Sequence, residues 1–488
     1  MLKSFSKDLF KYIPSKIVPV FLSFIAIPIF ARLLGPELFG VYSIVVTTIG
    51  ILLILSGWLN MAIIRFYPAV TKQDAPELLR SVVFTKIMSA LFFALLGYLV
   101  SQYYWPGETK FQTWLALGLV VSVLQGLYFL LADILRVRSR VGAYSFFVIS
   151  ERMVSVVTGL LFVLIWNVEG LGILLGMCIG SIFFLPWLWR KALEGIRSFG
   201  SISFKFIQRL AWYGIPLAVG NFGAWILSQS DRYLIAKFYT ASDVGIYSAA
   251  YTISENSVML IGNLFILASG PMMVNVWENR GKEVTKELFT NVTRLYLLVA
   301  IPAAAGLSIL SVPIIVVLMG SEYLEGAYII PWVAIGALFL GLQHRFNTSL
   351  TLVHRTLDVM VIMLISGILN VSLNLLLLPS TNYFIAAVNT SISYAFLCFL
   401  LAFWSRKYFS WPFPWGSFFR ILMATIVMCI SLYILGSFIP QKPLIELLVL
   451  IPIGIIIYIL TIVVIGEITP SERYAILRRA RMFFKIPI

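Results

Sequence analysis

"FARLLGPELFGVYSIV" occupies residues 30–45, and a similar segment, "IAKFYTASDVGIYSAA", occupies residues 235–250. At a constant offset of 205 positions, Gly40 falls on Gly245, and the branched aliphatic residue, the tyrosine and the serine that follow each glycine also match. Small and aromatic residues are common in membrane helices, but their order and spacing here agree across the whole segment. The chain therefore contains two copies of one structural unit, and the orientation of these copies decides the fold.

The composition is that of a membrane protein. Of 488 residues, 60% are hydrophobic and 12% are charged, whereas soluble domains carry about a quarter charged residues. The apolar runs are long and continuous, which favours helices of roughly 20 residues over the short alternating strands of a barrel. We therefore predict an all-α polytopic membrane protein with about 14 transmembrane helices. The predicted spans cover residues 12–33, 37–66, 80–103, 112–134, 142–166, 169–189, 208–238, 243–276, 287–318, 326–350, 357–379, 382–404, 418–438 and 443–466.

The basic residues define the orientation of these spans. Of the 36 Lys and Arg residues, 29 fall at the N-terminus, in the even-numbered loops and in the tail. The positive-inside rule then places both termini in the cytoplasm. The net charge of +15 is a topology signal together with an attraction to anionic membrane lipids. Nucleic acid is not an expected partner, because the basic residues are scattered over many loops.

The two copies of the repeat are six helices apart, and an even offset gives both copies the same orientation in the membrane. The chain is thus expected to form two parallel six-helix repeats, N- and C-lobes, around a central cavity, followed by two extra helices. A second, weaker sequence similarity supports this division, since "WLWRK" (187–191) and "FWSRK" (403–407) each end a predicted sixth helix. The predicted domains are 1–197 for the N-lobe, 198–410 for the C-lobe, 411–470 for helices 13 and 14, and 471–488 for a basic cytoplasmic tail.

Enzyme signatures are absent from the sequence. It contains no Gly-rich phosphate loop, no HExxH and no nucleophile elbow, so we predict a transporter and not an enzyme. The three cysteines, Cys178, Cys398 and Cys429, lie singly in apolar runs and suggest neither a disulfide nor a metal site. We expect no cofactor and no bound metal centre. Without a nucleotide-binding domain, transport would draw on an H⁺ or Na⁺ gradient or on the gradient of the substrate.

Four segments resemble a known family. They are "ARLLGPELFGVYSIV" (31–45), "LMGSEYLEGAYIIPW" (318–332), "ILNVSLNLLLLP" (368–379) and "FIAAVNTSISY" (384–394). In this order they resemble the polysaccharide-transporter or O-antigen flippase (Wzx-type) branch of the multidrug/oligosaccharidyl-lipid/polysaccharide (MOP) exporter superfamily. The resemblance implies alternating access by two lobes in a bacterial or archaeal cytoplasmic membrane. It also implies an undecaprenyl-diphosphate-type oligosaccharide as substrate, an O-antigen, capsule or exopolysaccharide unit, with a polymerase and glycosyltransferases as partners.

Arginines within or at the ends of the spans are the candidate substrate-binding residues. A charge at the membrane centre costs about 2.5–3.5 kcal/mol on insertion scales and usually faces a water-filled cavity. A diphosphate needs donors that grip phosphate oxygens in pairs, which arginine provides. We predict that five arginines line a cationic cavity: Arg32, Arg65, Arg152, Arg232 and Arg345. Interfacial snorkelling remains an alternative for Arg32 and Arg65, and structural ion pairing remains one for Arg152 and Arg232.

Acidic and amide side chains in the spans are candidates for ion coupling or for the polar lining of the cavity. This set comprises Asp231, Glu255, Glu151, Gln229 and Asn256. Glu255 lies close to the predicted membrane midplane and could exchange a coupling ion. Asn370 and Asn374 are four residues apart on one helix face, a spacing that favours interhelical hydrogen bonds over ligand binding.

Three other functions fit the same architecture. A cation-coupled drug exporter would favour acidic and aromatic pocket residues, whereas here the basic residues within spans match or exceed the acidic ones. A flippase for a lipid-linked peptidoglycan precursor is a closer relative of the polysaccharide flippase that the family resemblance implies. A membrane enzyme or polymerase subunit that exports sugar polymer without flipping lipid would usually carry a sizeable loop with catalytic acids outside the membrane, and the longest connection, about residues 190–207, is short. An export subunit of a larger polysaccharide synthesis complex stays open.

Overall fold

A computed structural model describes residues 2–71, 73–104, 109–195, 201–440 and 442–468, with side chains at all of these except residues 2–13, 16, 17 and 104. Within these ranges, all regular secondary structure is helical. The α-helices are α1 Leu2–Leu55, α2 Trp58–Phe66, α3 Ala75–Tyr104, α4 Thr109–Val137, α5 Val141–Trp166, α6 Glu169–Ala192, α7 Phe204–Phe238, α8 Ala241–Ile309, α9 Ser311–Leu318, α10 Ile330–Leu352, α11 Thr356–Leu377, α12 Ile385–Ser405, α13 Trp415–Gly436 and α14 Pro443–Val464. Short 3₁₀ helices cover Tyr67–Ala69, Ser321–Tyr328 and Leu378–Ser380.

The helices provide the predicted number of membrane spans. Eleven helices in the described ranges are long and apolar enough to cross a membrane, and the bent pair Ser321–Tyr328 and Ile330–Leu352 makes twelve. Two of the long helices, α1 and α8, are interrupted by glycines whose φ angles are positive, Gly35 at 71° and Gly281 at 79°. Glycine is favoured there because it has no Cβ to clash in the left-handed region. Counting the segments on both sides of each glycine gives fourteen spans, which confirms the predicted fold class.

Several spans carry an additional break that the apolar pattern does not show. The helical run that begins after Gly35 stops at Leu55 and resumes at Trp58 as α2. Similarly, α8 ends at Ile309 and α9 begins at Ser311. The 3₁₀ segment before α10 is bent by 54° relative to that helix. Such breaks release backbone carbonyls that need other hydrogen-bond donors inside the membrane.

The helices form two compact units. The first comprises Met1–Ala249 and Met363–Ala386, and the second comprises Ala250–Ile362 and Ala387–Ile488. The predicted N- and C-lobes follow the sequence repeat instead of these packing units, and their boundaries stay a prediction. The N-terminal lysines lie among side chains that the structure does not describe. The predicted tail, 471–488, also lies outside the described residues.

Glycines allow α5 and α6 to pack very closely in the first unit. A Cβ added to Gly176 of α6 would lie 2.5 Å from the Ser155 carbonyl oxygen of α5. One turn further along, a Cβ on Gly180 would lie 2.8 Å from the Glu151 carbonyl oxygen. Gly172 continues the same four-residue spacing on α6. This is the small-residue packing typical of membrane helices, and it brings the polar side chains of α5 against α6.

Contacts in the same unit show why each copy of the repeated segment contains a glycine. A Cβ built on Gly40 would overlap the Ala241 carbonyl oxygen, and a Cβ built on Gly245 would overlap the Pro36 carbonyl oxygen. Pro36 and Ala241 are themselves separated by the 205-residue offset of the repeat. The two copies therefore meet in a reciprocal contact, in which each glycine accommodates the backbone at the start of the other copy's helix.

Helices α13 and α14 are fastened within the second unit by a buried carboxylate. Glu467, 2% exposed, follows α14 and accepts a hydrogen bond from Arg294 Nε at 2.6 Å. Arg420 Nε of α13 lies 2.9 Å from the other carboxylate oxygen of Glu467. In addition, the Tyr458 hydroxyl of α14 donates to the Leu298 carbonyl at 2.7 Å. The last two helices thus pack on the part of α8 that follows Gly281.

Candidate functional site

Two of the predicted arginines, Arg32 and Arg65, have exposed side chains. Arg32 lies three residues before the break at Gly35, and Arg65 lies in the last turn of α2. Both positions are near helix ends, where a long side chain can place its charge in the membrane interface. Cavity lining by these two residues stays a prediction.

Glu151 and Arg152 are neighbours in sequence but contact different helices. The buried Glu151 carboxylate accepts from the Ser155 hydroxyl at 3.2 Å and from the Ser181 hydroxyl of α6 at 3.3 Å. Arg152 is half-buried and donates through Nε and Nη2 to the Ser23 hydroxyl of α1, at 3.0 and 2.6 Å. Successive side chains on a helix point about 100° apart, which separates the two charges. Serine hydroxyls, and not an ion pair between the two residues, provide these contacts.

A polar cluster of the first unit surrounds Asp231 of α7. This carboxylate is fully buried and accepts from the Tyr247 hydroxyl at 2.6 Å and from Asn374 Nδ2 at 2.7 Å. Asn374 Nδ2 also lies 3.4 Å from Asn370 Oδ1, which accepts from the Ser230 hydroxyl at 3.3 Å. Three helices, α7, α8 and α11, are joined in this way. The interhelical role predicted for the two asparagines matches these bonds.

Arg232 follows Asp231 and is also buried, with 5% of its surface exposed. Its Nη1 donates to the Ser228 carbonyl one turn earlier in α7, at 3.1 Å. Gln229, on the same helix, is half-buried. Asp231 and Arg232 are thus both buried within the first unit, while the predicted lining of a cavity and the role in transport stay predictions.

Glu255 is the corresponding acidic centre of the second unit. Its carboxylate accepts from the Tyr251 hydroxyl at 3.2 Å and from the Tyr394 hydroxyl at 3.3 Å. The two hydroxyls are themselves 3.1 Å apart. Glu255 and the adjacent Asn256 are half-buried, whereas both tyrosines are buried. Tyrosine hydroxyls are neutral donors, so a proton or a cation that replaced either of these two bonds would not break a salt bridge there.

Arg345 is the most deeply buried of the predicted arginines, with 2% of its surface exposed. Its guanidinium carbon lies 4.9 Å from the centre of the Tyr296 ring, and its Nη1 is 3.5 Å from the Gly341 carbonyl. Among the described residues, neither Nε nor Nη2 has a hydrogen-bond partner. Arg345 therefore retains donor capacity for an anion, at the cost of burying a charge that is balanced chiefly by ring faces.

Sequence reasoning missed the buried charge network around Lys86. Lys86 of α3 is 1% exposed and donates to the Ser56 carbonyl at 2.8 Å, to the Ser56 hydroxyl at 3.2 Å and to Asn60 Oδ1 at 3.3 Å. Asn60 Nδ2 in turn donates to Asp133 Oδ2 of α4 at 2.8 Å. Lys86 thus satisfies a carbonyl released by the break between α1 and α2. The signals available in the sequence were a lysine in the middle of one predicted span and a Ser-Gly pair within another.

The clusters differ in the chemistry that they can support. In the described part of the chain, no three His, Cys, Asp or Glu side chains are close enough together to hold a metal ion. The Asp231 and Glu255 clusters instead offer carboxylate, amide and hydroxyl oxygens, which suit H⁺ or a hard monovalent cation. The arginines offer donors for phosphate oxygens. The arrangement is that of a membrane transporter with acidic and cationic groups in its interior.

Comparison with known proteins agrees with this class. Residues 29–328 match the family described as "Polysaccharide biosynthesis protein", and the chain belongs to this family. A curated relative, the probable low-salt glycan biosynthesis flippase Agl15 of Haloferax volcanii, is 24% identical over 444 residues, which is 90% of this chain and 91% of the relative. An uncharacterized membrane protein of Methanocaldococcus jannaschii is 22% identical over 71% of this chain and 72% of its own length.

Solved structures share the fold. The lipid II flippase MurJ in an inward closed conformation matches 93% of this chain and 98% of its own, with a TM-score of 0.76 at 17% identity. An inward-facing multidrug resistance MATE transporter of the MOP superfamily matches 81% of this chain and 97% of its own, with a TM-score of 0.63 at 12% identity. The family match confirms the predicted polysaccharide family, the solved structures show that the chain shares the fold of MurJ and of a MATE transporter of the MOP superfamily, and the relatives with a named role are flippases and transporters.

Proposed function

We propose that the protein is a flippase that moves a polyprenyl-diphosphate-linked oligosaccharide across the cytoplasmic membrane by alternating access. The observation that carries this proposal is the match to the Agl15 flippase over nine tenths of both chains, within a polysaccharide biosynthesis family. The buried and half-buried arginines supply donors suited to a diphosphate. Both termini would face the cytoplasm, and the substrate would come from glycosyltransferases and pass to a polymerase.

Within this proposal, the arginines bind the diphosphate and the acidic clusters couple the cycle to an ion. Arg345 retains guanidinium nitrogens with no hydrogen-bond partner among the described residues. Asp231 and Glu255 would exchange H⁺ or Na⁺. Binding a cation at either carboxylate would weaken its present hydroxyl and amide bonds, which gives the ion a means to change helix packing.

The test is delivery of lipid-linked sugar to the outer leaflet. Strains that lack the gene are complemented with wild type, Arg152→Ala, Arg345→Ala or the control Arg280→Ala, an exposed arginine. Inverted vesicles are then assayed for transfer of a labelled polyprenyl-diphosphate oligosaccharide. We expect loss of transfer for the first two variants at normal protein levels and full transfer for the control. Wild-type transfer by both interior variants would refute a cationic binding site.

A second candidate is a flippase for a lipid-linked peptidoglycan precursor, favoured by the fold of MurJ at a TM-score of 0.76. The two substrates share the polyprenyl diphosphate and differ in the attached sugar and peptide. Complementation separates them: a strain depleted of its peptidoglycan-precursor flippase regains growth only under the second candidate. A strain that lacks surface polysaccharide regains it only under the first.

A further inference from the structure

The end of α6 carries an aromatic groove that the proposed transport function does not use. Rings from α5 and α6 line it, among them Phe146, Phe183 and Trp187, and its volume is about 770 Å³. More than half of the surface of each of these three side chains is exposed. Arg190, Lys191 and Glu194 line this first groove at the end of α6, which is called its mouth below. An apolar hollow with a cationic mouth is therefore built into one helix end.

Other charges near the first groove are committed to the α6 terminus. Arg138 donates to the Ala192 carbonyl at 2.6 Å, and Arg140 donates to the Lys191 carbonyl at 3.0 Å and pairs with Glu194. Hydrogen bonding to Arg140 lowers the pKa of Glu194, which therefore stays ionised and paired. Arg190 and Lys191 both have exposed side chains and give the mouth a positive charge.

The second repeat has an equivalent groove. When "WLWRK" is laid over "FWSRK", Phe183 falls on Phe399 and Arg190 falls on Arg406. Phe399 and Arg406 both line a groove of about 760 Å³ at the end of α12. This second groove also contains Trp411 and Trp415, and Arg406 is exposed. The same pair of residue types thus lines an aromatic groove at the end of the sixth helix in each repeat.

We propose that each of these two grooves docks an anionic phospholipid, with one hydrocarbon chain against the rings and the phosphate at Arg190 or Arg406. The rings are exposed on helices that cross the membrane, so hydrocarbon is the medium that they meet. The arginines lie at the helix ends, at the depth of lipid phosphates. Charge excludes the protein's own C-terminal segment as occupant, because residues 471–488 contain four arginines and a lysine.

Lipid binding to the purified full-length protein tests this proposal. Phosphatidylglycerol or phosphatidylcholine with identical chains is added in detergent, and bound lipids are counted by native mass spectrometry. We expect wild type to retain two phosphatidylglycerol molecules at concentrations where phosphatidylcholine is lost. Arg190→Ala and Arg406→Ala are each expected to weaken one phosphatidylglycerol by about fivefold, the usual contribution of one basic residue near an anionic surface.

Three comparisons make the result specific. Arg190→Lys should retain phosphatidylglycerol, which separates loss of charge from loss of folding. The double variant Arg280→Ala/Lys282→Ala, which removes another exposed basic pair, should bind like wild type. Trp187→Ala should weaken both lipids, because it removes ring surface and leaves the charge in place.

Equal binding of the two lipids by wild type would overturn the proposal, as would undiminished phosphatidylglycerol in the double variant Arg190→Ala/Arg406→Ala. Displacement of both phosphatidylglycerol molecules by a polyprenyl-diphosphate oligosaccharide would also overturn it, since the grooves would then serve the transported substrate. None of these readouts depends on transport, so they stand apart from a failure of the proposed flippase function.

Discussion

Gly40 and Gly245 make the same contact in opposite directions. A Cβ on either glycine would overlap a backbone carbonyl oxygen of the other's segment and would come within 3.0 Å of the other glycine's amide nitrogen. The reciprocity follows from the sequence repeat, since both glycines and both carbonyls are related by one offset. Neither position tolerates a side chain without a backbone shift, which explains why the glycine is present in both copies.

Gly40→Ala or Gly245→Ala should therefore destabilise the protein by about 1–3 kcal/mol, the usual cost of overpacking. Thermal unfolding in detergent measures the effect. The matched control is Gly270→Ala, because a Cβ at this helical glycine meets no atom within 4 Å. Alanine has the higher helix propensity, so the control should be neutral or more stable by up to about 1 kcal/mol. Equal unfolding midpoints for all three variants would contradict the reciprocal contact.

Tyr247→Phe should destabilise the first unit by about 1–3 kcal/mol, because it removes a hydroxyl that donates to the buried Asp231 carboxylate at 2.6 Å. The repeat offers the matched control Tyr42→Phe. Within the described residues, the Tyr42 hydroxyl makes no hydrogen bond to a carboxylate, and its loss should cost well under 1 kcal/mol. Denaturation of both variants in one detergent gives the comparison, and an equal loss at the two tyrosines would count against the Asp231 cluster.

Lys86→Met should cost about 3–5 kcal/mol, since it removes one charge from a buried network and leaves the Ser56 carbonyl without this donor. The control is Lys110→Met, because Lys110 pairs with Glu169 at 2.7 Å with both side chains about half exposed. Surface pairs of that kind contribute at most about 1 kcal/mol. Unfolding midpoints of the two variants measure this difference in stability. A Lys86→Met protein as stable as Lys110→Met would show that the network has no structural role.

Arg345→Met should separate stability from transport. Methionine can occupy the space beside Tyr296 without a buried charge, so stability should be unchanged or higher by about 1–4 kcal/mol. Transfer of lipid-linked sugar should nevertheless fall at least tenfold if Arg345 binds phosphate, and Arg345→Lys should recover part of it. The opposite result, a less stable protein with normal transfer, would make Arg345 a structural residue stacked on an aromatic ring.

The sequence was a good guide to the number and type of helices because the signal is simple. Apolar runs longer than a bilayer is thick can form only helices, and the repeat determines their relative direction. The breaks were not visible in the same way. Residues 55–58 and 309–311 are apolar or small, and their interruption depends on donors from other helices, such as Lys86 at Ser56.

The site could be predicted only as residue types at membrane depth. An ionisable side chain within a span was the reason to select Asp231, Arg232 and Arg345; all three are buried, and their roles stay a prediction. Periodicity gave no means to foresee that Asp231 is held by Tyr247 of the next helix and by Asn374, which lies 143 residues away in sequence. It likewise could not show that Glu151 and Arg152 contact different helices, because that depends on where their neighbours pack.

The contacts of the Glu467 carboxylate indicate where a probe of conformational change could be attached. It binds both Arg294 and Arg420, so α13 is tethered to the helix that precedes α9 and should follow its displacements. The native thiol of Cys429 lies on α13 and is half-buried, whereas Cys178 and Cys398 are buried. A dye coupled to the native Cys429 would therefore report conformational exchange optically, and this labelling requires no substitution in the polar interior.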